Sequence, residues 1–203
     1  DAGKDWQEKV FWEKVQKDMT KDTVISVGGD FSGSMSGQKI IVQMKAMELL
    51  DDVLTTLGVN HELWGFTCWG QYPTHFLFKQ FGERVRRPDL VSRMLVASGQ
   101  MENNNDGDNV LFAYNRLLAT RAKRRIMIIM SDGAPSGPGG DIQWWTKEVA
   151  RKIQDQRIVE MHAIGIMSTA PKYFYDSNEV INSVDQLEPA LLRVLKNKLI
   201  QVK

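Results

Sequence analysis

The stretch Ile126-Met-Ile-Ile-Met130 is apolar at every position. A strand with one solvated face alternates apolar and polar residues, whereas a run without that period belongs inside a parallel sheet covered on both sides by helices. Val24-Ile-Ser-Val-Gly-Gly29 is apolar enough for the same place. Parallel neighbours cannot be joined by a tight turn and need crossover segments, usually helices. After the first run, Ile41, Met44, Met47, Leu50, Leu54 and Leu57 recur every three or four positions and Gly58 follows as a C-cap, which predicts a long helix from Ile40.

The same alternation of patterns continues to the end of the chain. Val59 to Thr67 reads as a strand with Val59, His61, Leu63 and Gly65 on one face, and Tyr72 to Phe78 as an edge strand, since Pro73 cannot donate to a ladder. Pro88 to Ala97 reads as a short helix, and Val110, Leu111, Tyr114, Leu117 and Leu118 as the apolar stripe of another. Arg121 to Arg125 is a basic connector expected to be solvated. Asp141 opens a helix to about Gln156 with Trp144, Trp145, Val149 and Ile153 inward, and Ile158 to Ile166 is a further strand. Val180 and Ile181 suggest a last short strand, and Asp185-x-x-Glu188 a capping box for a C-terminal helix with Leu191, Leu192, Leu195 and Leu199 inward. The class expected is α/β, a doubly wound, mostly parallel central sheet flanked by helices. Residues 4 to 19 carry Trp6, Val10, Phe11, Trp12, Val15 and Met19 on one helical stripe, so residues 1–22 are expected to pack as an amphipathic helix on a domain spanning 23–203.

A chain of 203 residues, 42% hydrophobic, suffices for one full core. Its net charge of +1 offers no argument for a nucleic-acid or membrane-surface partner. Cys68 is the only cysteine, which excludes an intrachain disulfide and favours a reducing compartment. No run is long enough to span a bilayer, and residues 1 to 20 lack a signal peptide's apolar centre, so the expected location is cytoplasmic. The start at Asp1 suggests a fragment or a processed product.

Chemistry gathers at the strand ends. The first strand runs into Asp30-Phe-Ser32-Gly-Ser34, a carboxylate and two hydroxyls at alternate positions. Such oxygen donors suit a hard divalent cation, Mg2+ or Mn2+. A nucleotide loop is excluded because no lysine follows Gly33, and a hydrolase nucleophile elbow because neither serine has glycine two places before it. A second oxygen-rich run, Glu102-Asn-Asn-Asn-Asp106-Gly-Asp108-Asn109, fails as an EF-hand, whose twelfth position would be Ala113. Asp108 could cap the helix that follows, leaving Asp106 free. The apolar strand ends in Ser131-Asp132-Gly133, and since parallel strands share one carboxyl edge, Asp30 and Asp132 are expected to meet there.

These three segments, in this order, resemble the metal-ion-dependent adhesion site of von Willebrand factor A domains. Within that superfamily the chain is similar to the C-terminal domain of the cobaltochelatase subunit CobT, through Asp30-Phe-Ser-Gly-Ser-Met-x-Gly37, Trp64-Gly-Phe-Thr67, Glu102-Asn-x-x-Asp106-Gly107, Arg124-Arg-Ile126, Ser131-Asp-Gly-Ala-Pro135 and Ala163-Ile-Gly-Ile166. The resemblance implies a metal set of Asp30, Ser32, Ser34, Asp106 and Asp132, with the serines binding the cation directly and Asp30 and Asp132 acting mostly through water. Asp106 stands where many A domains have threonine. It further implies a binding module that is not catalytic alone. Its implied partners are an AAA+ ATPase of CobS type and a large chelatase subunit of CobN type, docking through an acidic residue onto the metal. The alternative is an adaptor of an AAA+ remodelling ATPase with an unrelated client. A metal-dependent hydrolase built on Asp30 and Asp132 would lack a general base, because His61, His75 and His162 all read as strand residues.

Overall fold

The two apolar runs take the central places of the sheet. In the computed structural model, which describes residues 22–133, 135–137, 140–187, 189–190 and 193–194, β1 (Thr23–Asp30) and β4 (Arg124–Ser131) lie parallel with Gly29 opposite Met130. β2 (Asn60–Trp69) pairs in parallel with β1, and β3 (Tyr72–Lys79) returns antiparallel at that edge. β5 (Glu160–Ile166) and β6 (Asn178–Ile181) extend the sheet in parallel beyond β4. The six strands follow the order β3-β2-β1-β4-β5-β6, so the sheet is mostly parallel, as predicted. Crossovers leave β1 toward one edge and β4 toward the other, which puts a topological switch point between the carboxyl ends of β1 and β4.

Among the described residues four long helices cover the two faces: α1 (Gln38–Thr56), α2 (Arg87–Ser98), α3 (Asp106–Leu118) and α4 (Ile142–Gln156). Alternate residues of the central strands feed two cores. Ile25, Val27, Ile126, Ile128 and Met130 pack with Met47, Leu50 and Leu54 of α1 and Leu90 and Met94 of α2. Val24, Met127 and Ile129 pack with Val110, Ala113 and Leu117 of α3 and Val149, Ala150 and Ile153 of α4. Each such side chain contributes about 1.5–3 kcal/mol by leaving water, and both faces of the apolar run are used. α1 ends as its sequence indicates. Gly58 takes φ 70°, and the amides of Gly58 and Val59 bond back to Thr55 O and Leu54 O at 3.0 and 2.9 Å, a Schellman closure.

Several local expectations change in the tertiary setting. β2 was expected to alternate, yet it is buried from His61 to Cys68, because Trp64 and Phe66 fill the second core while Leu63 fills the first. Trp144 is 59% exposed and Leu111 and Leu118 lie at the surface, while Thr146 and Ala113 take inward positions. The basic connector is solvated at Arg121 and Lys123, as expected, but engaged at its carboxyl end. Arg124 pairs with Glu160 at 2.5 Å, and Arg125 donates to Leu117 O and Thr120 O, each at 2.9 Å, closing the carboxyl end of α3. The expected helix over residues 4–19, and Leu191, Leu192, Leu195 and Leu199, lie outside the described residues.

His61 is a strand residue as expected, but α1 brings it a carboxylate. At the amino edge of the sheet, away from the ends of β1 and β4, a cavity of about 720 Å³ has Asp51, His61 and Lys79 among its lining residues. Asp51 Oδ1 lies 2.6 Å from Lys79 Nζ and 2.8 Å from His61 Nε2, while His61 Nδ1 donates to Val59 O at 2.7 Å. Burial alone would raise the Asp51 pKa, but the hydrogen bonds from His61 and Lys79 and the Lys79 charge outweigh it and hold Asp51 below the usual carboxylate range. The folded state therefore releases this proton more readily than the unfolded one. Its stabilisation is complete above the unfolded value near 4 and is lost as pH falls through and below it. Denaturant titrations between pH 6 and 3 should show a shallower acid loss for Asp51→Asn than for the wild type; parallel profiles would refute this.

Candidate metal centre

β1 delivers Asp30 to the switch point fully buried. Gly29 makes this possible on one side: a Cβ there would stand 2.8 Å from Gln43 Nε2, and that amide donates to Asp30 O at 2.7 Å. On the neighbouring strand, a Cβ at Gly65 would collide at 2.6 Å with the ring of Phe31, whose amide continues the pairing to Phe66 O at 2.7 Å. Beyond Phe31 the chain leaves the sheet and makes a single 3-10 turn over Gly33–Met35. Ser32 N donates to Asp30 Oδ1 at 2.8 Å, and the turn brings Ser34 Oγ to 3.1 Å from Ser32 Oγ.

β4 brings the second carboxylate. Ser131 Oγ donates to Asp30 Oδ2 at 3.0 Å, and Ser34 Oγ donates to Asp132 Oδ1 at 2.8 Å across 98 residues of sequence. Asp30 and Asp132 are thus joined through two serines, as the shared carboxyl edge predicts.

The oxygen-rich run is stitched onto the ends of β1 and β2. Gly33 N donates to Glu102 O at 2.6 Å, Cys68 N to Asn103 O at 2.7 Å, and Thr67 Oγ1 accepts from Glu102 N at 3.0 Å. Asn104, 3% exposed, then turns its amide inward, where Nδ2 donates to Asp106 Oδ1 at 3.1 Å and to Asp30 Oδ2 at 3.3 Å. Asp106 joins the cluster. Asp108 does not cap the helix: α3 begins at Asp106 after Asn105, and Asp108 accepts from Trp145 Nε1 at 2.9 Å and Asn105 Nδ2 at 2.7 Å. Gly107 explains why the pair reads Asp-Gly, for a Cβ there would stand 2.5 Å from the Trp145 ring. Ser136 borders this edge, its amide donating to Asn104 Oδ1 at 2.9 Å.

The charges are costly as they stand. Burial is the main cause that lifts the Asp30 carboxyl from 3.8 to about 6; hydrogen bonds from Ser32 and Ser131 pull it down, and the Asp132 charge pushes it up. Asp106 is raised well above the carboxylate range by burial and then by the Asp30 charge. The Tyr175 phenol is raised too, by burial and by the charges of Asp106 and Asp30. Two buried acids that repel one another, behind two hydroxyls of which Ser34 is exposed, suit a hard divalent cation. Among the described residues no three His, Cys, Asp or Glu side chains converge to ligate a metal by themselves. A cation here would therefore depend on Ser32 and Ser34, and that oxygen set fits Mg2+.

Residues 10–75 and 75–201 match the family model described as the VWA domain of the cobalamin biosynthesis protein CobT. The chain belongs to this family. Among solved structures, the CobT-family domain is similar in fold to the pilus adhesin SpaC from Lactobacillus rhamnosus GG (17% identity, TM-score 0.66, 88% of this chain and 30% of that one). It is also similar to the PilB minor pilin from Streptococcus sanguinis (11% identity, TM-score 0.65, 88% and 61%). A von Willebrand factor type A protein from Catenulispora acidiphila matches at 18% identity and TM-score 0.61, over 88% and 43%. The chain spans 30% to 61% of the length of these three structures, and the likeness shows the fold. No helix of the described residues is long and apolar enough to cross a membrane.

Four residues that position the site of this CobT-family domain escaped sequence reasoning: Gln43, Asn104, Ser131 and Lys39. Asn104 and Ser131 stood inside motifs already singled out, so the signal was position. Gln43, fully buried in α1 between Val42 and Met44, is a polar break among apolar neighbours. Such a break requires a buried hydrogen-bond partner.

Proposed function

We propose that this CobT-family domain is a Mg2+-dependent docking module of a cobaltochelatase-type complex in cobalamin biosynthesis, binding a partner rather than carrying out chemistry. The observation that carries the reading is the convergence of Asp30, Ser32, Ser34, Asp106 and Asp132 at the switch point, with the acids buried and Ser34 open to solvent. Ser32 and Ser34 would hold the ion, Asp30 and Asp132 would orient those hydroxyls and any bound water, and Asp106 would add charge from behind. Mn2+ suits the same oxygen donors. Neutral serine ligands leave the ion electron-poor, so the group it supplies is a binding point for an incoming carboxylate. The family relation favours a partner ATPase of CobS type and a CobN-type chelatase subunit as the sources of that acid.

The decisive experiment is binding of the purified AAA+ subunit and of the large chelatase subunit to this chain in Mg2+ and in chelator. Affinity for at least one should fall more than tenfold in chelator, and the Ser32→Ala, Ser34→Ala double variant should bind equally weakly in both. Equal affinity of the wild type with and without Mg2+ would remove the metal from the docking reaction.

A further inference from the structure

Lys39 is placed where a cation is least expected. It lies in the first turn of α1, at the positive end of the helix dipole, and no acidic residue accompanies it in that turn. Its side chain is one-third exposed, at 33%, yet its ammonium turns inward onto Asp132 Oδ2 and donates to Ser34 O at 3.3 Å. The Asp132 side chain is 2% exposed, and its other oxygen accepts from Ser34 Oγ, which in turn touches Ser32 Oγ. One lysine thus supplies a positive charge to the carboxylate and the serine loop that the metal reading assigns to a divalent ion.

We propose that Lys39 is a tethered cation that competes with the divalent metal for Asp132, so that loading the site is an exchange of one cation for another and Lys39 sets its affinity. The inference rests on the metal-site reading above. An ammonium and a divalent ion repel at close range, and a carboxylate oxygen bonded to one is less available to the other. Loading therefore requires Lys39 to swing outward, which its long, partly exposed stem permits. The dipole of α1 disfavours Lys39 where it stands, so the contact is held by Asp132 and is lost when that charge is taken up elsewhere.

Isothermal titration with Mg2+, repeated with Mn2+, tests this on the wild type, Lys39→Gln, Lys39→Arg and the Ser32→Ala, Ser34→Ala double variant. Lys39→Gln should bind Mg2+ about tenfold tighter or more, and Lys39→Arg within about threefold of wild type. Melting temperatures give a second readout. Lys39→Gln should melt below wild type in chelator and level with it in saturating Mg2+, whereas a lysine of merely structural value would lower both. An unchanged or weaker Mg2+ affinity in Lys39→Gln, with binding still lost in the double serine variant, overturns the competition and leaves the metal site standing. Absence of Mg2+ binding in the wild type, or binding undiminished in the double serine variant, overturns the site itself and Lys39's part with it.

Discussion

Saturating Mg2+ is expected to raise the melting temperature of this domain by about 5 to 10 °C at pH 7, and Asp30→Asn is expected to remove that rise. A ligand bound only by the folded state adds about 2.7 kcal/mol at a hundred times its dissociation constant. Asp30 controls it because its two oxygens hold Ser32 N, Ser131 Oγ and Asn104 Nδ2 at 2.8, 3.0 and 3.3 Å, and so set the backbone of the serine turn, the Ser131 hydroxyl and the Asn104 amide shared with Asp106. In chelator the variant should behave in the opposite sense. Unfolded Asp30 loses its proton near 3.8, while the folded residue keeps it to about 6. The folded state binds more protons over that interval, so this contribution to stability falls as pH rises from about 4 to 6 and is level above. At about 1.4 kcal/mol per pH unit the loss is roughly 3 kcal/mol, and Asn avoids it at the cost of reversing the Ser131 hydrogen bond and losing the one from Asn104, together about 1–2 kcal/mol. Asp30→Asn should thus melt higher than wild type in chelator at pH 7 and lower in saturating Mg2+. A variant that keeps the full Mg2+ response would show that Asp30 does not serve a metal.

Arg116→Met should cost about 3–5 kcal/mol, and a further change of Glu62 to Met should restore most of the loss. Glu62 is fully buried in β2, where Oε1 accepts from Ser26 Oγ at 2.7 Å and Oε2 from Arg116 Nε at 2.8 Å. Ser26 Oγ in turn accepts from Trp64 Nε1 at 3.0 Å, so the pair organises the polar atoms beneath the second core. Removing Arg116 alone strands a carboxylate in low dielectric, whereas removing both charges exchanges a desolvated pair for apolar contacts. Arg116 also lies 5.5 Å above the Phe112 ring, a contact Met largely keeps. Urea denaturation of both single variants and the double variant gives the coupling energy. A loss below about 1 kcal/mol in Arg116→Met would mean that water reaches Glu62.

Two kinds of element were legible in the residues. The first were those whose own period or punctuation is decisive: the Ile126–Met130 run, the long helix closed by Gly58, the edge strand marked by Pro73, and Asp141, whose side chain accepts from Trp144 N at 2.9 Å to open α4. The second was the cluster of oxygen side chains at the strand ends. Asp30, Ser32 and Ser34 are adjacent in the chain, and the carboxyl ends of parallel strands share an edge, which brings Asp132 to them. Family membership followed from those same residues.

What the sequence left open depends on contacts between distant elements. Asp106 and Asp108 are two positions apart in one turn, and local rules favoured Asp108 as the cap. The choice was made by Asn104, which ties Asp106 to Asp30, and by Trp145 of α4, which holds Asp108. Whether β2 is solvated on one face was decided by α3 and α4 closing over Trp64 and Phe66. Lys39 and Asp132 stand 93 residues apart, and only the turn of β1 into α1 beside the end of β4 brings them together. Periodicity and motif spacing report a residue's own element. The partner of a buried charge is set by how elements pack, because a charge withdrawn from water must find its counterpart wherever the fold supplies one.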